Sequence, residues 1–524
     1  MLCGDLIAVR LCLLCAAREA VTAAGTQGNH AEVMVPALVH TCSSTNPCKV
    51  GCCGNGGDKN NAFICGTGPT FCAPGNCTSN CDYKAECNPG GWGSQYFVSE
   101  KCPLNVCCSK FGFCGTTEEF CGDTQVPRPS CGSGSKTTQK RRVAYYEGWA
   151  TGNPCGVMLP NQIPLGLWTH INVAFASVDP NAFQLVPQDG IPYSITEQIA
   201  RLKIADPNLR VYLSIGGWAF NDPGPTANTF SQLAASSSAQ EAFFNSLITF
   251  MAANDLDGVD IDWEYPVAPE RGGSPADYAN FVSLVQNLRA AMNKSGYLFG
   301  LTATAPSSYW YMQHFDIINL SQTLDWINIM TYDLHGTWDG TDPWIGAVAL
   351  AHTNLTEIKQ TLDLFWRNNI DPDKIVLGLG FYGRSFTLAD PSCQSAGCPF
   401  SGGAKPGPCS QNSGTLTAYE IRQIIASGAA QVTLDPEAAV EIVTWGGDQW
   451  VSYDDFPTFK MKIDYANEVC LGGVMVWAVD QDDGQATMTN QLALALGLPA
   501  NSAAAGPSAG NVTSADQGIE FLSN

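Results

Sequence analysis

Cysteine is spread so unevenly that the chain cannot fold by one principle throughout. Fifteen of its 23 cysteines lie between Cys42 and Cys131, including the adjacent pairs Cys52-Cys53 and Cys107-Cys108, and only five follow. Such density marks a disulfide framework: a segment too small to bury a core is held by cross-links made in an oxidising compartment. Zinc sites would call for histidines or isolated four-cysteine sets, and this stretch has no histidine after His40. The segment also repeats. Cys52-Cys53 is followed by Cys65 and Cys72, and Cys107-Cys108 by Cys114 and Cys121, with six residues inside the last interval both times. Two related modules, 42–86 and 87–131, are expected.

Past Cys131 the small polar run Gly132 to Gln139 reads as a flexible linker, placed at 132–141. From Arg142 onward, β-rich apolar runs alternate with helical patterns. The strands expected are Arg142 to Gly148, His170 to Ala176, Arg210 to Gly216, Gly258 to Trp263, Phe299 to Ala305, Trp326 to Tyr332, Lys374 to Phe381 and Gly473 to Val479. Eight such runs fit an α/β fold closed as a (β/α)8 TIM barrel over 142–498 better than an open sheet. The long interval between the seventh and eighth predicts an α+β insertion at about 385–467. Residues 499–524, rich in Ala, Ser and Gly, are expected to be disordered. Residues 1–41 read as a leader with an atypical signal region: Leu6 to Ala17 resembles a signal core, but Asp5 precedes it and Arg10 interrupts it. Secretion, to the extracellular space or the cell wall, is therefore inferred from the disulfides. No run of 18 apolar residues exists, so no membrane-spanning helix is expected.

The net charge of −22, from 26 basic and 48 acidic residues, argues against nucleic acid or an anionic membrane as partner. A neutral ligand is easier to reconcile with it, and the acidity itself reads as a solubility trait.

The string Asp257-Gly258-Val259-Asp260-Ile261-Asp262-Trp263-Glu264 carries the most chemistry. On a strand, alternate side chains share a face, so Asp260, Asp262 and Glu264 point one way and Val259, Ile261 and Trp263 the other. Three carboxyls that close cannot all ionise cheaply, so at least one keeps a proton near neutral pH, as a general acid must. A hard-cation site is the competing reading. It is disfavoured because the other strand ends offer aromatic and amide groups rather than oxygen-rich loops, and neither metal nor cofactor is expected.

The string resembles the DxxDxDxE signature of glycoside hydrolase family 18, the chitinases and their relatives. Further landmarks follow in order: Ser214-Ile215-Gly216-Gly217-Trp218, Met330-Thr331-Tyr332-Asp333, Phe381-Tyr382-Gly383-Arg384 and Trp477. The resemblance implies retaining hydrolysis assisted by the substrate, an exception to the usual two-carboxylate scheme. It implies Glu264 as general acid, Asp262 orienting a 2-acetamido group, Tyr332 holding the acetamide carbonyl and Asp260 behind Asp262. Trp477 would floor the cleavage site, and Tyr145, Gly217, Trp218, Tyr265, Met330, Asp333, Trp338 and Arg384 would line the sugar cleft. Trp149, Trp218, Trp338 and Trp477 all fall at strand ends, where aromatic faces suit the C–H faces of pyranose rings. Trp445 and Trp450 in the insertion are expected to form a cleft wall.

Cys107-Cys108-Ser109-Lys110-Phe111-Gly112-Phe113-Cys114, with Phe120 before Cys121, resembles a hevein-type chitin-binding module, implying a sugar site of Ser109, Phe111, Phe113 and Phe120. The upstream copy departs from that pattern, with Ile64 where an aromatic is expected. The combination resembles the killer-toxin-like chitinases of fungi. The expected partners are chitin and its oligosaccharides, with the protein a monomer and its action endo-type. Two alternatives are a catalytically weak chitin-binding lectin or toxin-associated subunit, and an enzyme cutting the chitobiose core of N-glycans.

Overall fold

The computed structural model describes residues 41–499 apart from 59, 61, 125, 189, 343 and 344. The expected leader, all but its last residue, and the expected tail, all but its first, lie outside the described residues.

Eight parallel strands close into a ring: β1 (Arg141–Glu147), β2 (His170–Val178), β3 (Arg210–Gly216), β4 (Gly258–Asp262), β5 (Gly300–Pro306), β6 (Trp326–Met330), β7 (Ile375–Gly380) and β8 (Gly473–Trp477). β8 pairs with β1, and β1 with β2, which completes the barrel. Val259, Ile261 and Trp263 are all but inaccessible in the layer between sheet and helices, the side assigned to them by alternation. The helix Asp277–Ser295 covers part of that layer with Phe281, Leu284, Val285, Leu288 and Met292, an apolar stripe at helical spacing. A second, smaller cluster fills the inside of the barrel, built from Tyr145, Phe175, Tyr212, Trp326, Tyr332, Tyr382 and Met475.

Between β7 and β8 stands an antiparallel sheet that includes Tyr382–Leu388, Val440–Trp445 and Gln449–Tyr453. The insertion thus starts earlier and ends sooner than 385–467. The helix Phe456–Glu468 belongs to the barrel, because Phe459, Ile463 and Ala466 pack into the barrel core. Trp450 is no cleft wall: it is fully buried against Phe386 in the insertion's own core. A disulfide, Cys155–Cys409, staples the insertion to the segment after β1.

The two Cys-rich modules share one connectivity. Cys42–Cys53, Cys48–Cys65 and Cys52–Cys72 in the first correspond to Cys87–Cys108, Cys102–Cys114 and Cys107–Cys121 in the second, and Cys77–Cys81 closes the first. The second module rests on the barrel. Asn105 bonds Asn368 at 2.9 Å, and the Arg367 guanidinium lies against Cys107 and Cys121. These residues follow the helix Leu355–Trp366, and Cys470, bonded to Cys131, follows Phe456–Glu468. Barrel helices run antiparallel to the strands, so both anchors lie at the N-terminal end of the barrel, away from the mouth.

The run read as a flexible linker is tied down. Thr138 is fully buried, and its N–H and hydroxyl both donate to Asn467 Oδ1, at 3.0 and 2.9 Å. Polar composition suggested freedom, but a partner more than 300 residues away supplies the anchor. Among the described residues no helix is long and apolar enough to cross a membrane.

Candidate active site

Asp260, Asp262 and Glu264 enter the barrel mouth from β4 and the residues just beyond it. Asp260 lies deepest and is fully buried. Its Oδ2 accepts from the Tyr145 and Ser214 hydroxyls, both at 2.8 Å, and its Oδ1 from Thr302 at 2.7 Å and Asn328 at 3.2 Å. Burial pushes this carboxyl up, and the four donors pull it back. Asp262 has a Thr304 hydroxyl at 2.6 Å; burial, and next the neighbouring Glu264 charge, hold it well above the usual carboxylate range. Burial lifts Glu264 to about 7 against a hydrogen bond from Tyr265 and the charge of Arg271. Glu264 therefore holds a proton near neutral pH, at the mouth of the pocket, beside a second carboxyl that resists ionisation.

The backbone at the end of β3 is shaped around these acids. The Gly217 N–H donates to the Asp262 carbonyl at 2.9 Å, with φ of 84°. A Cβ at Gly217 would fall 2.5 Å from the Phe175 ring, so glycine is required on both counts.

Aromatic residues form the rest of the mouth. Trp477 packs on Tyr145 and Phe175, each with its ring centroid 5.5 Å away. Tyr265 stacks on Tyr311 at 4.2 Å. Tyr332 lines the interior with its hydroxyl 3.9 Å from Met475 Sδ, and burial followed by the charge of Asp262 raises its phenol well above the ordinary value. Met330 packs between the barrel interior and the outer layer. Trp149, Trp218 and Trp338 stand exposed around the rim. Trp218 lies over the Arg271 guanidinium at 3.7 Å, and Trp338 beside that of Arg384 at 4.9 Å. Asp333 pairs with Arg384 at 2.6 Å and accepts from the Tyr382 hydroxyl at 2.5 Å. Burial alone would raise Asp333, but the Arg384 charge outweighs it and keeps the carboxylate ionised.

Ser109, Phe111, Phe113 and Phe120 also come together, but not as an open sugar face. Phe113 is 3% exposed and shares a buried cluster with Val50 of the first module, with Tyr83, Phe111 and Phe120 packed around it. Ser109 is 4% exposed and accepts from the Phe113 N–H. The Thr67 hydroxyl of the first module donates to the Phe111 carbonyl. Of the four expected residues, Ser109 and Phe113 are thus buried, whereas Phe111 and Phe120 stay half-buried.

Several residues of the mouth lie outside the sequence motifs. Thr302, Thr304 and Asn328 are inward positions of β5 and β6, and their alternation with apolar residues was the available signal. Their pairing with Asp260 and Asp262 depends on strand register, which sets Ser214 and Thr302 beside Asp260.

Residues 141–482 match the family model described as glycosyl hydrolases family 18, and residues 92–135 the one described as chitin recognition protein. The chain belongs to glycosyl hydrolase family 18. It is 31% identical over 416 residues to a secreted chitinase, LysM12, of Penicillium expansum, covering 72% of this chain and 27% of that protein. Over 363 residues it is 32% identical to the killer toxin subunits alpha/beta of Kluyveromyces lactis, covering 66% and 30%. The chain thus spans less than a third of the length of these relatives. Among solved structures, catalytic domain 2 of the Group II chitinase of Ostrinia furnacalis matches with a TM-score of 0.61 at 29% identity, over 69% of this chain and 98% of that one.

Proposed function

We propose that the protein is a secreted, endo-acting chitinase that hydrolyses β-1,4 links between N-acetylglucosamine residues with retention of configuration. The observation that carries this reading is the pair Asp262 and Glu264, buried side by side at the barrel mouth with Glu264 held near pH 7. Glu264 gives its proton to the leaving glycosidic oxygen while the 2-acetamido oxygen of the same sugar attacks the anomeric carbon, forming an oxazolinium ion. Asp262 accepts from the acetamide N–H through a carboxyl oxygen and orients the group, and the Tyr332 hydroxyl holds the acetamide oxygen. Water, deprotonated by the ionised Glu264, attacks the anomeric carbon on the face the leaving group departed from, opposite the acetamide oxygen, and breaks the oxazolinium C–O bond, so two inversions give net retention. The rim tryptophans supply stacking platforms for neighbouring sugars.

Residues 142–498 act as the catalytic body, 87–131 as a hevein-type chitin-binding module and 42–86 as a degenerate hevein-like module. Ten disulfides among the described residues support export to an oxidising compartment. The test is a time course of products from insoluble chitin, wild type beside Glu264→Gln, with the anomer read by NMR. Soluble β-anomeric oligomers from the wild type alone are expected. Release of the α anomer, or equal release by the variant, overturns the reading.

A further inference from the structure

Two loops of the barrel mouth are joined by a side chain that lies outside the sequence motifs. Arg271 ends the short turn Pro269–Arg271 that follows β4, and its side chain is only 6% exposed. Its Nε–H donates to the Glu264 carbonyl oxygen at 2.9 Å, and its Nη2 donates to the carbonyl of Trp218. Nη1 pairs with Asp222 at 2.7 Å. The guanidinium carbon lies 3.7 Å from the centre of the Trp218 ring, so a cation covers one face of that indole while the residue stays 52% exposed. A return tie comes from the buried Asn221 amide, which donates to the Arg271 carbonyl at 3.3 Å and to that of Ala227 at 3.0 Å. One planar fork thus serves two carbonyls and a carboxylate at once, a geometry that the point charge of a lysine does not reproduce.

We propose that Arg271 is a positioning residue of the cleft: it ties the backbone of the catalytic acid to the Trp218 loop and holds the Trp218 indole with one fixed face open to the sugar. The proposal rests on the readings of Glu264 as general acid and of Trp218 as a sugar platform. A ring packed by a guanidinium on one side takes a pyranose only on the other, and its orientation is set before the sugar arrives. Freed from Arg271, the indole and its loop have to be ordered on binding, at a cost in affinity. The charge also acts on the acid. The groups facing the Glu264 carboxyl are Asp262, Asp222 and Asp333 with the Tyr265 and Tyr332 phenols, and Arg271 is the cation among them. A positive charge stabilises the ionised carboxylate. Arg271 therefore draws Glu264 down against the burial that raises it, and its removal moves the midpoint up from about 7.

Two measurements on the full-length protein test this. Affinity for a hexamer of N-acetylglucosamine is measured in the Glu264→Gln background, so that turnover does not intervene. Arg271→Lys should weaken binding about five-fold there, the scale of ordering one large side chain on association. With Trp218→Ala also present the same change should matter by less than about two-fold, because residues that act through one another are not additive. In protein with Glu264 intact, kcat/KM on a soluble oligomer is followed across the alkaline limb. Arg271→Met should raise the midpoint by about half a unit, Arg271→Lys should keep it, and Asp222→Asn, which removes a negative charge facing Glu264, should lower it. Asp222→Asn leaves both carbonyl bonds of Arg271 in place and so guards against a folding defect in Arg271→Met; thermal melts confirm that each variant is folded. An equal loss of affinity with and without Trp218, or midpoints that stay put in the folded Arg271→Met and Asp222→Asn variants, overturns the role of Arg271. If Trp218→Ala binds the hexamer as tightly as its parent, the platform reading falls and the proposal with it. A parent that binds no hexamer overturns the sugar-site reading itself.

Discussion

The barrel mouth and the aromatic face of the second Cys-rich module are made of similar parts, polar side chains framed by rings, yet one stands open and the other is shut. At the mouth, Asp260 and Asp262 are buried but have hydroxyl donors on neighbouring strands, and Trp149, Trp218 and Trp338 remain 39%, 52% and 44% exposed. In the module, Phe113 is withdrawn from solvent against Val50 of the other module, and Ser109 by the turn it closes with Gly112 and Phe113. A constellation of residues specifies which chemistry a site can perform. Whether a ligand can reach it is decided by distant contacts.

The hardest test of the open mouth is Glu264→Gln, which should lower chitin hydrolysis by a factor on the order of 10² to 10⁴ while leaving oligomer binding intact. The same carboxyl sets an alkaline limit: the acid must hold its proton, so kcat/KM should fall about ten-fold per pH unit above its midpoint near 7. A rate that is flat from pH 6 to 9 would count against Glu264. Replacing Cys131 and Cys470 together by serine should cost about 2–4 kcal/mol of stability in thermal or denaturant melts, with the initial rate on a soluble oligomer unchanged, because the bond lies at the opposite end of the barrel.

The shut face is probed by Val50→Asp in the Glu264→Gln background. A charge set against Phe113 should part the modules and raise retention on chitin roughly ten-fold, since burying such a side chain is worth about 1.5–3 kcal/mol. Phe113→Ala should cancel the gain, and unchanged retention in Val50→Asp would mean that the contact does not govern access. The smallest effect concerns the loop bearing Trp338. His335 is clasped by Asp339 at 2.7 Å and Glu357 at 3.0 Å; burial opposes its charge, but those bonds raise it to about 9. Its folded value is raised, so the stabilisation is full below the unfolded value of about 6.5 and fades as pH rises through 9. The gap in melting temperature between wild type and His335→Gln should narrow over that window.

Much of the barrel was legible because its strands are buried on both sides and read as continuous apolar runs. Arg210–Gly216 coincides with the expected strand, and the other seven begin within a residue of expectation. The parity of Asp260 and Asp262 against Val259 and Ile261 was equally local. The register that brings Thr302 to Asp260 was not, since nothing within either strand specifies its neighbour. The same holds for Thr138 and Asn467, and for Val50 and Phe113, where the two partners come from different parts of the chain.

The bond between Cys131 and Cys470 has a consequence for how the molecule can be processed. A protease cutting among residues 132–141 separates nothing, because both fragments stay joined through the sulfurs until a reductant arrives. A cut between Cys121 and Cys131 meets no such restraint on the covalent level. One class of nick is silent and the other sheds the modules, so the position of a single cleavage determines whether the catalytic body travels alone.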